Sequence, residues 1–136
     1  MTNSRNKGVS FEREVANLLT SDLGLKNNIR RILDQTRDKH LPDLMLGKWH
    51  IECKRYGSGA EPLESWWQQV LSATRNKGIP ALVYKFDRRP IKVRIPLGAI
   101  NNQLDINSSN TADLLWEDFI YLLKNLYMED IELNDQ

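Results

Sequence analysis

The spacing of apolar residues along the chain predicts its elements in turn. From Ser10 to Leu23, Phe11, Val15, Leu18 and Leu19 recur at helical spacing and Gly24 follows as a stop, which reads as a first helix. Residues 28–34 set Ile29, Ile32 and Leu33 among arginines, and residues 35–41 are polar without a period, so a strand and a loop are expected there. Pro42 to Leu46 and Trp49 to Tyr56 are short strand-like runs separated by Gly47-Lys48, a compact turn signal, and should form an antiparallel hairpin. After a flexible connection from Gly57 to Pro62, the stretch Leu63 to Lys77 has apolar residues at 63, 66, 67, 70, 71 and 73, the mark of a second amphipathic helix closed by Gly78. Ala81 to Phe86 and Ile91 to Ile95 read as two strands joined by a turn containing Arg88, Arg89 and Pro90. The pattern weakens after Pro96. A polar break at Asn107 to Thr111 leads into a helix expected over Ala112 to Tyr127, and the last eight residues are expected to fray.

This order predicts an α/β domain with a mixed central sheet of about five strands flanked by helices. A chain of 136 residues with 40% hydrophobic content can bury one core. A single domain over residues 1–136 is expected, its core at about 5–96 and a helical segment after it. Apolar stretches such as Ile79 to Tyr84 fall far short of the roughly 20 residues of a membrane-spanning helix. No membrane association is expected, and the protein should be cytoplasmic.

Charge changes this picture once it is divided along the chain. Residues 1–94 hold 18 Lys and Arg against 10 Asp and Glu, a balance of +8, while residues 95–136 hold 1 against 8, a balance of −7. A basic surface for a polyanion and an acidic segment turned elsewhere would produce this asymmetry. The single cysteine, Cys53, rules out an internal disulfide and a cysteine-rich zinc site, so carboxylates are the natural ligands for any metal, which points to magnesium or manganese.

The predicted hairpin carries the candidate chemistry. Glu52 and Lys54 stand two apart on one strand and point to the same face, and a turn at Gly47-Lys48 lets Asp43 approach Glu52 across the pair. Two converging carboxylates can hold a hard divalent cation. Lys54 can orient a water or stabilise the charge that grows on a phosphate under attack. Cys53 faces the other way and is read as core, as are Trp66 and Trp67, with His40 and His50 as bystanders. Arg30, Arg31, Arg37 and Arg55 are the foremost candidates for phosphate contacts.

Several runs together resemble a known family. Lys7-Gly8 leading to Glu12-Arg13, the pair Arg30-Arg31, then Pro42-Asp43 and Ile51-Glu52-Cys53-Lys54-Arg55 are similar to the archaeal Holliday-junction resolvases and their phage-encoded PD-(D/E)xK relatives. Trp66-Trp67-Gln68-Gln69 and Gly78 to Val83 resemble the phage members in particular, whereas Gln35 to Lys39 stands where archaeal members carry a serine- or glycine-rich loop. The resemblance covers about residues 5–95. It implies a restriction-endonuclease-like core in which Glu12, Asp43 and Glu52 bind metal, Lys54 is catalytic and a glutamine of the second helix supports the site, Gln69 before Gln68. Lys7 and Arg13 then join Arg30, Arg31, Arg37 and Arg55 as expected DNA contacts. The expected function is a magnesium- or manganese-dependent Holliday-junction resolvase, acting as a homodimer on branched DNA in the cytoplasm, that of the host if phage-encoded. The alternatives are a PD-(D/E)xK nuclease for repair, restriction or phage genome processing, and a DNA-binding module with the nuclease fold but no catalysis.

Overall fold

The computed structural model describes residues 4–27, 29, 42–74 and 77–135. A long helix α1 (Ser4–Leu23) is followed by β1 (Leu44–Leu46), β2 (Trp49–Tyr56), α2 (Glu64–Thr74), β3 (Ile79–Phe86), β4 (Lys92–Pro96), β5 (Thr111–Leu115), α3 (Trp116–Leu126) and α4 (Met128–Leu133). The strands form one mixed sheet in the order β1-β2-β3-β4-β5, parallel only between β2 and β3. This is the restriction-endonuclease-like α/β arrangement. Parallel neighbours need a crossover, and α2 provides it.

Strand alternation sorts the core into two layers. Odd-numbered β2 and β3 residues, including Ile51, Cys53, Ala81 and Val83, pack with Phe11, Val15 and Leu19 of α1 and with Phe119, Leu123 and Ile131 of the C-terminal helices. On the other face Leu82, Tyr84 and Phe86 meet Trp66, Trp67 and Val70 of α2. Trp66 stacks on Tyr56 and Phe86, and Trp67 Nε1 donates to the Ser108 carbonyl at 3.0 Å. Both tryptophans are core residues, as expected.

Several boundaries differ from the sequence reading for identifiable reasons. Helix α1 begins at Ser4 rather than Ser10, and residues 4–10 hold Val9 as their single large apolar residue, so no apolar period marks that stretch. β3 starts at Ile79 and therefore contains Pro80, tolerated because β3 bonds β4 only from Leu82 to Tyr84. The weak pattern after Pro96 is a 3-10 turn and a loop in which Asn101, Asp105 and Ser108 accept from the backbone N–H two residues on. The helix expected from Ala112 starts only at Trp116, since Thr111–Leu115 is the fifth strand. Asp113 there accepts two hydrogen bonds from Arg94, at 2.8 and 3.1 Å, and one from the Tyr84 hydroxyl, ties that override the helical pattern. The strand expected at 28–34 lies outside the described residues apart from Ile29, which is in no strand, so the observed sheet reaches five strands by a different membership.

The expectation of a frayed C-terminus is also corrected. Six of the last nine residues form α4, whose Ile131 is buried, and Asp130 accepts from the Lys48 N–H at 2.8 Å. Asp135 likewise accepts from the backbone N–H groups of Lys26 and Asn27. The acidic segment thus caps turns at the end of the sheet where β2 begins.

Gly47 is the residue this cap depends on. Its φ is 56°, and a side chain there would strike the Asp130 carboxylate. Gly47→Ala should therefore cost about 2 kcal/mol or more, by left-handed strain and by displacing Asp130 from Lys48. Urea denaturation of the two proteins checks it, and equal midpoints would contradict this account of the cap.

Candidate active site

Beyond Ile51 the edge of β2 is open among the described residues, because β1 pairs only Leu44, Met45 and Leu46 with Ile51, His50 and Trp49. Asp43 leaves the strand just there, one residue beyond the last pair and opposite Glu52. A cleft of about 310 Å³ occupies this edge, lined by Gly8, Val9 and Glu12 of α1, Asp43, Glu52 to Tyr56 of β2, and Gln69 of α2. The strand's alternation sends Glu52, Lys54 and Tyr56 towards α2 and Cys53 and Arg55 towards α1.

Asp43 and Glu52 are both buried, with 8% and 2% of their surface exposed. An Asp43 oxygen accepts from the Cys53 N–H at 2.8 Å, which fixes the carboxylate against the strand. Gln69 Nε2 donates to Glu52 at 3.4 Å, and the two acids share a hydrogen bond. Burial, first, and then the charge of Asp43 and that shared hydrogen bond push Glu52 up to about 9; Lys54 pulls the other way and Glu12 adds a smaller push. Burial also drives the Cys53 thiol upward, so Cys53 is a core thiol and not a nucleophile.

A divalent cation suits this donor set. A buried acid pair forced to keep a proton has an unmet need for positive charge, and all its donors are hard oxygens. Among the described residues no three acidic, histidine or cysteine groups close round one point. Glu12 shares the cleft with the pair but does not complete a cage with it.

Of the residues expected from the sequence, the structure brings Glu12, Asp43, Glu52, Lys54, Arg55 and Gln69 to one cleft. Gln68 instead bonds Glu64 on the exposed side of α2. Arg13 is exposed and lines a separate shallow groove on α1 with Glu14 and Asn17. Lys7 lies in α1 with its side chain outside the described set, and Arg30, Arg31, Arg37 and His40 are outside the described residues. His50 is buried at the other end of β2, and burial lowers its pKa. Two neighbours escape the sequence reading. Tyr56 lines the cleft on the face of Glu52 and Lys54, and the same alternation could have found it. Asp87, which pairs with Arg55 at 3.3 Å, depends on the parallel β2–β3 register, which no local signal reveals.

A family model described as "Phage putative PDDEXK endonuclease" matches residues 3–132. The chain belongs to this endonuclease family. No curated protein and no solved structure matches it significantly. Among the described residues of this PDDEXK endonuclease no helix is long and apolar enough to cross a membrane.

The buried pair makes the stability of the metal-free endonuclease depend on pH. Glu52 ionises near 4.5 when unfolded and at about 9 when folded. Between those values the native state holds a proton that the unfolded chain has released, so stability falls as pH rises through that window. The decline is at most about 1.4 kcal/mol per pH unit. With a chelator present, Glu52→Gln should remove it, raising stability on the order of 2–4 kcal/mol near pH 8 and changing little near pH 4. Denaturant titrations across this range provide the check, and parallel curves for the two proteins would exclude the pair as the cause.

Proposed function

We propose that this chain is a magnesium- or manganese-dependent endonuclease that resolves branched DNA, with Asp43, Glu52 and Glu12 as metal ligands and Lys54 as the catalytic cation. The observation that carries the reading is the burial of two carboxylates side by side, with a lysine on the same strand, in the cleft at the edge of β2 that β1 leaves open among the described residues. A bound divalent cation would supply Lewis acidity at a phosphate oxygen and lower the pKa of a water.

The chain's own residues do the rest. The Cys53 N–H and the Gln69 amide hold the two carboxylates in fixed orientations, so no reorganisation is needed when substrate arrives. Lys54 projects from β2 on the side of Glu52, where its ammonium can stabilise the extra negative charge on the phosphate under attack or orient the attacking water. Arg55, on the opposite side of the strand and tied to Asp87, can attract a neighbouring phosphate by its charge. Tyr56 closes the end of the cleft with its ring stacked on Trp66.

A four-way junction is the proposed substrate, cut by a homodimer. Two-fold symmetry would present two copies of the cleft at a fixed separation to two strands related by the same symmetry. Linear duplex offers a phosphate to one site at a time and would be held mainly by the sequence-independent electrostatic attraction.

Asp43→Asn and Lys54→Ala should each lower cleavage by at least about 100-fold while DNA binding persists. Calcium should support binding with little cutting, since its looser coordination positions a water poorly. Undiminished cutting by either variant would falsify these roles. A four-way junction should bind at least about ten-fold more tightly than duplex of equal length, roughly 1.4 kcal/mol, and be nicked in opposing strands. Titration of both DNAs at one salt concentration, with gel mapping of the cuts, decides the substrate; equal affinity with unpaired cuts would leave an endonuclease of other DNA.

A further inference from the structure

The tip of the β3–β4 hairpin, Asp87 to Pro90, stands beside the cleft without lining it. In the parallel register Tyr56 faces Phe86, and the Asp87 N–H donates to the Tyr56 carbonyl at 3.1 Å. The turn therefore begins where the cleft's strand wall ends, since Lys54, Arg55 and Tyr56 form that wall. Arg55 joins the two: its Nη2 donates to the Asp87 carboxylate at 3.3 Å, while its Nε is buried without a hydrogen-bond acceptor. A buried guanidinium N–H without an acceptor is costly, so the bond to Asp87 is what holds this side chain between the turn and the cleft.

Arg88 and Arg89 extend from this tether into solvent, both exposed and neither in a salt bridge or side-chain hydrogen bond among the described residues. Arg88 adopts a φ of 67°, the left-handed region where glycine is at ease and an arginine is not. No packing of the exposed side chain offsets that conformation. Solubility would be served as well by an arginine on relaxed backbone, so the position points to a use for the charge at this place. Lys85, opposite Arg55 in the register, adds a further cation at the same end of the sheet.

We propose that this turn is a second site of attachment to the DNA backbone. Arg88 and Arg89 bind phosphates of the duplex flanking the bond to be cut, and Asp87 holds Arg55 between the turn and the cleft so that one strand is gripped on both sides of Arg55. The proposal rests on the nuclease reading and adds to it a surface outside the cleft that fits a polyanion with closely spaced charges.

The test is equilibrium binding of a labelled linear duplex, with calcium in place of magnesium, at several salt concentrations. Wild type is compared with R88G/R89A, R88K/R89K and K124A, the last removing an exposed cation from the acidic helix α3. R88G/R89A should bind at least about ten-fold more weakly, with a salt dependence of log K reduced by about two, one for each phosphate no longer neutralised. R88K/R89K should keep most of the salt dependence, and K124A should bind as wild type does. Because glycine relaxes position 88, R88G alone should melt at or above the wild-type temperature, which separates weaker phosphate binding from a damaged fold. Wild-type affinity and salt dependence in R88G/R89A would overturn the role of the turn alone. Failure of the wild type to bind DNA at all would overturn the nuclease reading and the role of the turn together.

Discussion

Two carboxylates held out of water and sharing a hydrogen bond set the terms for the rest of the molecule. Ionising both in that position costs several kcal/mol, and the upward displacement of Glu52 records it. A short hairpin could not impose this on its own, because it would open and let water in. The constraint comes from both sides of the sheet. Below, Ile51 and Cys53 anchor β2 in the main core, and above, Trp66, Trp67 and Val70 press α2 onto β3 so that Gln69 hangs over Glu52. Hydrophobic burial on two faces therefore supplies the free energy that keeps an unfavourable polar arrangement in place between them.

The part of this that is legible in the sequence is the part that strand alternation encodes. The apolar pattern delimits β2 at Trp49 and Tyr56, and the separation of Glu52 and Lys54 from Cys53 follows from a period of two. The preference for Gln69 over Gln68 comes from a family resemblance and not from the apolar pattern; in the structure Gln69 donates to Glu52 and Gln68 to Glu64. What is not legible depends on tertiary partners. Thr111 to Leu115 has no strand period and precedes a strong helical one, and only Arg94, Tyr84 and the free edge of β4 make it a strand. α4 escapes the pattern because Ile131 is its single buried residue, so an apolar stripe hardly exists there, and side-chain acceptors at Asp130 and Asp135 hold the segment instead.

The end of the acidic segment, though not all of it, is set apart in space from the cleft. Asp130 caps the turn next to Trp49, at the start of β2, and Asp135 the turn at Lys26 and Asn27, while the cleft and its lysine and arginine lie from Glu52 onward. A strand rises about 3.3 Å per residue, so the Gly47-Lys48 turn lies roughly 13 Å from Glu52 and roughly 25 Å from Tyr56, about one and a half to three Debye lengths at physiological salt. Asp130 and Asp135 are thus largely screened from the Lys54 and Arg55 end of the cleft, whereas Asp113 of the same acidic segment spends its charge on Arg94 across the sheet.

An open strand edge is ordinarily a hazard, because its unpaired backbone groups invite another strand. Among the described residues the edge of β2 opens after only three residues of β1, and Asp43 turns its side chain back to the Cys53 N–H. That one hydrogen bond does two things at once: it satisfies a strand donor that a longer β1 would have paired, and it holds a carboxylate beside Glu52. Extending β1 by two residues would pair the edge with backbone carbonyls, displace Asp43 from its donor and fill the cleft that Glu12 and Gln69 border from either side. The cleft exists because β1 is short, and the buried acids, which keep the edge charged and occupied, are what make so short a strand tolerable.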